Sequence, residues 1–489
     1  MSRSIDLLRR KHKQKVELGH LDFCLSLHKP HSIKHQLVSV AHQAKIRHPK
    51  VTEVLITIMN AHQFIDAGVK YTPHYFQVPL NYADCSQGTI EVFARELSLV
   101  ADGESTKPWL VYFQGGPGFP SPRQNGHNGW VKRALQEYRV LLLDQRGTGN
   151  SSVITHQTLA PLSAQQQAEY LSHFRADNIV RDAEFIRQQF GVNQWAILGQ
   201  SFGGFCSLTY LSLFPESLSR SYITGGVPSI HRHPDEVYQA TFKRTLQKNQ
   251  AFFKQFPQAQ QLCKKIADHL IENEEFLPNG QRFTVEQFQQ IGINFGMSDT
   301  FLPTYYALEN ALIEVNGKPQ LRYEFLNSML MEQGFQTNPI YAILHESIYC
   351  QGFASDWSAH RVRQDQDAFN YDSTKPFLFT GEMVFPWMFD QYHCLKPLKQ
   401  AAELLASKQD WQPLYDAEVL ASNKVPVSCA VYADDMFVEM DISRETLAQI
   451  PNSQAWITNE YEHNGLRADG EKILDTLIAM GHQTAATIN

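Results

Sequence analysis

Short apolar runs alternate with longer amphipathic stretches in two separated parts of the chain. Residues 76–80 (FQVPL) and 89–97 (TIEVFAREL) read as two strands around a polar turn at 81–88. The second alternates apolar and polar side chains, the pattern of an antiparallel strand with one wet face. The unbroken apolar runs at 109–113 (WLVYF), 139–144 (RVLLLD) and 195–198 (WAIL) each predict a strand buried on both faces. A helix is expected at about 163–190 and a further strand at 221–226. Buried strands alternating with helices specify an α/β fold with a doubly wound, mostly parallel sheet. The rhythm stops at 228–424, which reads as helical and aromatic, with glutamine-rich faces at 255–261 and 287–290. That is too long for a loop of a compact domain, so a large helical cap is expected, inserted before the last two strands. The strand rhythm resumes at 425–432 (VPVSCAVY) and 455–458 (AWIT), with a helix at about 441–450 between them and an amphipathic helix at about 468–481 after them. The expected organisation is an extension at 1–58, a core formed by 59–227 and 425–489, and a cap at 228–424.

Composition narrows the class. Of 489 residues, 43% are apolar and 19% charged, as in an ordinary soluble enzyme. The 30 Phe and 19 Tyr suit large cores and apolar pockets. A formal net charge of −7 argues against nucleic acid as a partner. The 7 Cys are scattered without a CxxC pair, which reads as reduced thiols in a cytoplasmic protein rather than a disulfide framework or a zinc site. No run approaches the ~18 apolar residues that span a membrane, and no signal-type apolar core stands near residue 1. Residues 1–58 differ from the rest, with eleven Lys/Arg against four Asp/Glu and seven of the 20 His. They read as a basic, poorly ordered extension; a targeting or nucleic-acid arm, or a start at Met59, are the alternatives.

The chemistry centres on WAILGQSFGG at 195–204. Gly199-Gln200-Ser201-Phe202-Gly203 fits G-x-S-x-G in a strand–turn–helix context, which marks Ser201 as a nucleophile. A serine hydroxyl needs a base in reach, and the base needs an orienting carboxylate. In chain order Ser201 precedes Asp434 and Asp435, which precede His463, and each follows an expected strand. Carboxyl ends of strands share one rim of such a sheet, so the three residue types converge. Spacing does not separate Asp434 from Asp435; Asp435, opening Asp-Met-Phe-Val, is preferred. Two backbone N–H donors are needed for an oxyanion, one from Phe202 and one from the Gly115-Gly116 turn, taken as Gly116. The loop at 114–118 lacks nucleotide-binding spacing, and no HExxH or clustered Cys/His points to a metal.

Gly115-Gly116-Pro117-Gly118, Asp144-Gln145-Arg146-Gly147-Thr148-Gly149-Asn150-Ser151, Gly199-Gln200-Ser201-Phe202-Gly203-Gly204 and the Asp435…His463 end together resemble the proline iminopeptidases of the α/β-hydrolase superfamily. The resemblance spans about 70 to 482, and the cap is similar to the larger subtype. Gln114 stands where the family often has His. The resemblance implies an α/β-hydrolase fold, removal of N-terminal proline from peptides by a Ser-His-Asp triad, no cofactor, and recognition of the free amine by cap glutamates. His345-Glu346-Ser347-Ile348-Tyr349 looks like the family's cap motif, making Glu346 the first candidate, followed by Glu309 and Glu382. Phe385, Trp387 and Phe389 are candidate pocket or core aromatics. Two other readings stay open: an esterase or amidase of the same fold that needs no free amine, and a non-catalytic binding protein.

Overall fold

The computed structural model describes residues 63–124 and 126–488; the extension at 1–58 and the alternative start at Met59 lie outside the described residues. One sheet contains β1 (Phe64–Asp66), β2 (Val69–Pro79), β3 (Thr89–Leu99), β4 (Trp109–Phe113), β5 (Arg139–Asp144), β6 (Trp195–Gln200), β7 (Leu218–Thr224), β8 (Val427–Tyr432) and β9 (Ser453–Thr458). Its order is β1-β2-β3-β5-β4-β6-β7-β8-β9. Pairings through β3·β5 are antiparallel, and all those beyond are parallel.

The apolar runs explain the layers. Along β4, Trp109, Val111 and Phe113 enter one hydrophobic layer while Leu110 and Tyr112 enter the other; β6 divides likewise between Trp195 and Ile197, and Ala196 and Leu198. The period of two sends alternate side chains to opposite faces. Helices α1 (Gly129–Glu137) and α4 (Gly470–Ile488) cover one face, and α2 (Ala176–Gln189) and α3 (Phe202–Leu213) the other.

Two expectations needed correction in detail. β2 begins at Val69 rather than 76 and pairs with β3 in register from Val69↔Leu99 to Pro79↔Thr89. Pro73 and the polar residues around it conceal that half of the strand from a pattern reading. The helix expected at 163–190 is two helices, Ala164–Leu171 and α2. Arg175 breaks it. Its backbone is extended, and its buried guanidinium donates to the carbonyls of Ser347, Cys350 and Gln412, at 3.2, 2.8 and 2.7 Å. Those three acceptors belong to the segment between β7 and β8.

That segment holds the long helices Pro234–Gln255 and Pro257–Glu272, many shorter ones, and two small hairpins. Its interior is phenylalanine-rich, with Phe252, Phe288, Phe295, Phe377 and Phe379 in one buried cluster. Gln287, Gln289 and Gln290 are buried rather than forming a wet face, because their amides find partners. Gln289 donates to the carbonyls of Phe369 and Leu378, and Gln290 donates to that of Met383 and accepts from Tyr392. A buried amide so satisfied carries no desolvation penalty beyond what its hydrogen bonds return.

Polar groups beneath the rim hold its loops. Buried Asp144 accepts from the backbone of Ser121 and Asn150 and from both terminal nitrogens of Arg123. Arg146 makes a two-pronged, fully buried pair with Asp182, and also donates to the carbonyls of Pro79, Leu80 and His173. Arg146→Ala leaves the Asp182 charge buried and unpaired. It is expected to lower stability by about 3–5 kcal/mol in urea denaturation, while Arg146→Met with Asp182→Leu recovers part of that loss.

Candidate active site

β6 ends at Gln200 and α3 begins at Phe202, so Ser201 makes the turn alone. It adopts φ 54° and ψ −125°, a conformation that costs an L-residue about 1–3 kcal/mol and persists only where the surroundings over-determine it. They do. The Ser201 N–H donates to the Thr224 carbonyl at 3.0 Å, and its carbonyl accepts from Gly204 N–H at 2.7 Å. α3 lies so close to the sheet that a Cβ on Gly203 would stand 2.0 Å from the Phe113 carbonyl oxygen. Phe202, as the first residue of α3, has an N–H with no intrahelical acceptor at the positive end of the helix dipole.

The glycine turn after β4 reaches the same place. A Cβ on Gly115 would stand 2.8 Å from Ser201 Cβ. Gln145 ties this turn to the next rim loop by donating to the Gln114 carbonyl at 3.0 Å. Beyond β7, a Cβ on Gly226 would stand 2.3 Å from the Ser201 carbonyl oxygen, and one on Gly225 3.3 Å from His463 Nδ1. Ser201 and His463 therefore pack against adjacent residues of one turn.

Packing distinguishes the two aspartates. Asp434 is exposed, whereas Asp435 is buried beneath the rim. Asp435 Oδ2 lies 2.7 Å from His463 Nδ1, and its Oδ1 accepts from the backbone of Phe437 and Val438 at 2.8 and 3.1 Å. The Phe437 ring meets the imidazole edge-on at 4.8 Å. Burial opposes a charge on His463, but the Asp435 carboxylate, its hydrogen bond and the charge of Glu382 outweigh burial and raise the imidazole pKa above its ordinary 6.5.

The three candidate glutamates occupy different settings. Glu346 is buried, with its two oxygens accepting from the backbone of Ser358 and Ala359 at 3.0 and 2.9 Å, at the start of the helix Ser358–Gln364. Burial raises its pKa to about 7 against those hydrogen bonds. Glu309 is exposed and meets Tyr305. Glu382 is partly buried, accepts from the Tyr341 hydroxyl, and lies near enough to His463 and Asp435 to feel both charges. Burial raises its pKa to about 7, with the histidine and Tyr341 acting to lower it. Of the three, Glu382 is the one whose titration is linked to His463. Phe385 and Phe389 are core residues, and Trp387 is partly exposed.

Two features escaped the motif reading. Tyr341, which holds Glu382, sits in an apolar stretch where no spacing rule singles it out. The carbonyl of Gly296, from the inserted segment, accepts the His463 backbone N–H at 3.1 Å. Neighbouring Ser298 donates to Asn464 at 3.1 Å, Asp299 accepts from Asn464 and Arg467, and Lys248 pairs with Glu462. The histidine loop is thus clamped to the cap. Two cavities share Met297 as a lining residue. One of about 190 Å³ is lined by Phe119, Ile291, Tyr341 and Tyr392, and one of about 480 Å³ opens beside His463. Among the described residues, no group of three or more His, Cys, Asp or Glu could hold a metal ion, and no helix is long and apolar enough to cross a membrane.

The α/β hydrolase fold family profile matches residues 108–466. A proline iminopeptidase of Aeromonas sobria is 56% identical over 421 residues, covering 86% of this chain and 98% of that protein. The chain belongs to the proline iminopeptidase family. A second member, from Aspergillus aculeatus, is 34% identical over 421 residues, covering 83% of this chain and 92% of its own. Family membership rests on alignments over 421 residues rather than on the serine motif alone.

The His463 environment sets a test that needs no substrate. In histidine-selective NMR the imidazole is expected to titrate above 6.5. Asp435→Asn is expected to lower that midpoint by removing the largest stabilising charge, whereas Asp434→Asn leaves it in place.

Proposed function

We propose that this chain is a serine aminopeptidase that releases proline from the N-terminus of peptides. The name of the Aeromonas sobria relative, matched over nearly its whole length, supports that substrate class. The observation that carries the free-amine requirement is Glu382, a carboxylate presented by the cap beside His463 and steadied by Tyr341. A cationic imino terminus entering the site gives that carboxylate the counter-charge that burial otherwise denies it. Glu346, whose oxygens cap a helix, supports the cap wall beneath, and Glu309 lies away at the surface. The cavity of about 190 Å³ beside Tyr341 suits a proline ring. In this reading residues 228–424 form the cap that roofs the site, and the scattered thiols fit a reducing, cytoplasmic setting.

The mechanism follows from the hydrogen bonds. With Nδ1 engaged by Asp435, Nε2 of His463 is the nitrogen that takes the Ser201 proton. Ser201 Oγ forms a bond to the scissile carbonyl carbon, and the oxyanion is held by the N–H groups of Gly116 and Phe202. Collapse breaks the C–N bond, and His463 returns the proton to the leaving nitrogen. Water, deprotonated by the same nitrogen, then hydrolyses the prolyl ester and restores the serine.

Proline-4-nitroanilide is expected to be cleaved at least a hundredfold better than N-acetyl-proline-4-nitroanilide or p-nitrophenyl acetate, since a site built to hydrogen-bond a substrate group rejects analogues lacking it by about 10⁴–10⁵-fold. Comparable rates would favour the esterase or amidase reading, and no turnover with no fluorophosphonate labelling of Ser201 the binding-protein reading. Glu382→Gln is expected to raise KM for the free-amine substrate about tenfold or more, with little change for blocked ones. kcat/KM is expected to fall as pH drops through about 7, where Glu382 is neutralised, and protonation of the His463 base, whose pKa is raised above 6.5, adds to the loss.

A further inference from the structure

The cavity of about 480 Å³ has no role in the steps above. Its wall carries His463 together with Gln114 and Gln200, the residues that precede the glycine turn and Ser201. Its floor is apolar. Tyr112 and Trp130 stack there at 4.7 Å with 26° between the rings, and Leu466 lies alongside. Met297 lines both this cavity and the smaller one beside Tyr341, so its flexible side chain borders each. Charge at the lip is balanced, because Arg467 meets both carboxylate oxygens of Asp299 at 2.9 and 3.1 Å. Among the described residues, no Asp or Glu lines the cavity.

Proton geometry says what belongs there. The nitrogen that leaves on acyl transfer belongs to the residue after the scissile bond, and its proton comes from His463. That residue must therefore pass against the imidazole. With the proline ring on the Tyr341 side of Met297, this cavity offers that residue space against His463. We infer that it is the subsite for the residue following proline, and that it selects a large uncharged apolar or aromatic side chain at that position. The inference rests on the aminopeptidase reading. Stacked rings reward another ring beyond the area it buries, and a cationic side chain would be desolvated there without an acidic partner.

Competition among Pro-Phe-NH₂, Pro-Gly-NH₂ and Pro-Lys-NH₂ in one reaction, followed by mass spectrometry, tests this. The ratios of consumption do not depend on how much enzyme is folded. The wild-type chain is expected to consume Pro-Phe-NH₂ about tenfold to a hundredfold faster than Pro-Gly-NH₂, the range expected for burying one phenyl side chain, with Pro-Lys-NH₂ slowest. Leu466→Trp fills the floor and is expected to cut the Phe/Gly ratio about fivefold or more. Met297→Trp, at a half-buried position that tolerates volume better, is expected to do the same. A wild-type ratio below about two, a preference for lysine, or a ratio unchanged in both variants overturns the assignment. Failure to release proline from any of the three overturns the aminopeptidase reading itself, so the two failures are distinct.

Discussion

Everything at the site depends on the close approach of backbone to backbone around Ser201. A residue with a side chain at φ 54° is held there by force, and the force is supplied by main chain: the Thr224 carbonyl in front, Gly204 behind, and α3 pressed on the end of β4. At Gly203 a Cβ would collide with a backbone oxygen at 2.0 Å, a contact that cannot be relieved by turning a rotamer. The strained turn and the apolar strands feeding it are one construction. The core on both faces of the sheet supplies the stability from which that local strain is met.

How much of this was legible in the sequence follows from what each feature depends on. Buried parallel strands announce themselves as unbroken apolar runs, so β4, β5 and β6 were readable to the residue or nearly so. β1 and the first half of β2 were not, because an edge ribbon with a proline carries little hydrophobic signal. Ser201 and His463 could be picked out because each sits next to a strand end. The choice between Asp434 and Asp435 turned on which one the fold buries, and adjacent identical residues carry no such information. The glutamates were least legible. Glu346 and Glu382 share type and a pKa pushed up to about 7, and are told apart by what they face: the start of a helix in one case, the imidazole in the other.

The motif that best marks the family does its work indirectly. Asp144, Gln145 and Arg146 touch none of the groups assigned to the chemistry. They fasten loops: Asp144 the segment around Ser121, Gln145 the glycine turn, and Arg146 the chain after β2 together with α2 through Asp182. Charges are costly under a sheet rim, and these are tolerated because almost every lone pair and proton has a partner. A resemblance carried by such residues is a resemblance of scaffolding, and it identifies the machine by its frame.

The clamp between the histidine loop and the cap carries a consequence for how the molecule can open. A lid that only covers a finished site can swing away and leave the machinery intact. Here the cap holds His463 by its own backbone through Gly296, and holds its neighbours through Ser298, Asp299 and Lys248. Lifting the cap as a rigid piece would break these contacts and leave the histidine loop without that support. A shortened chain without the cap would not be a smaller, more permissive hydrolase but a core lacking the support for its own base.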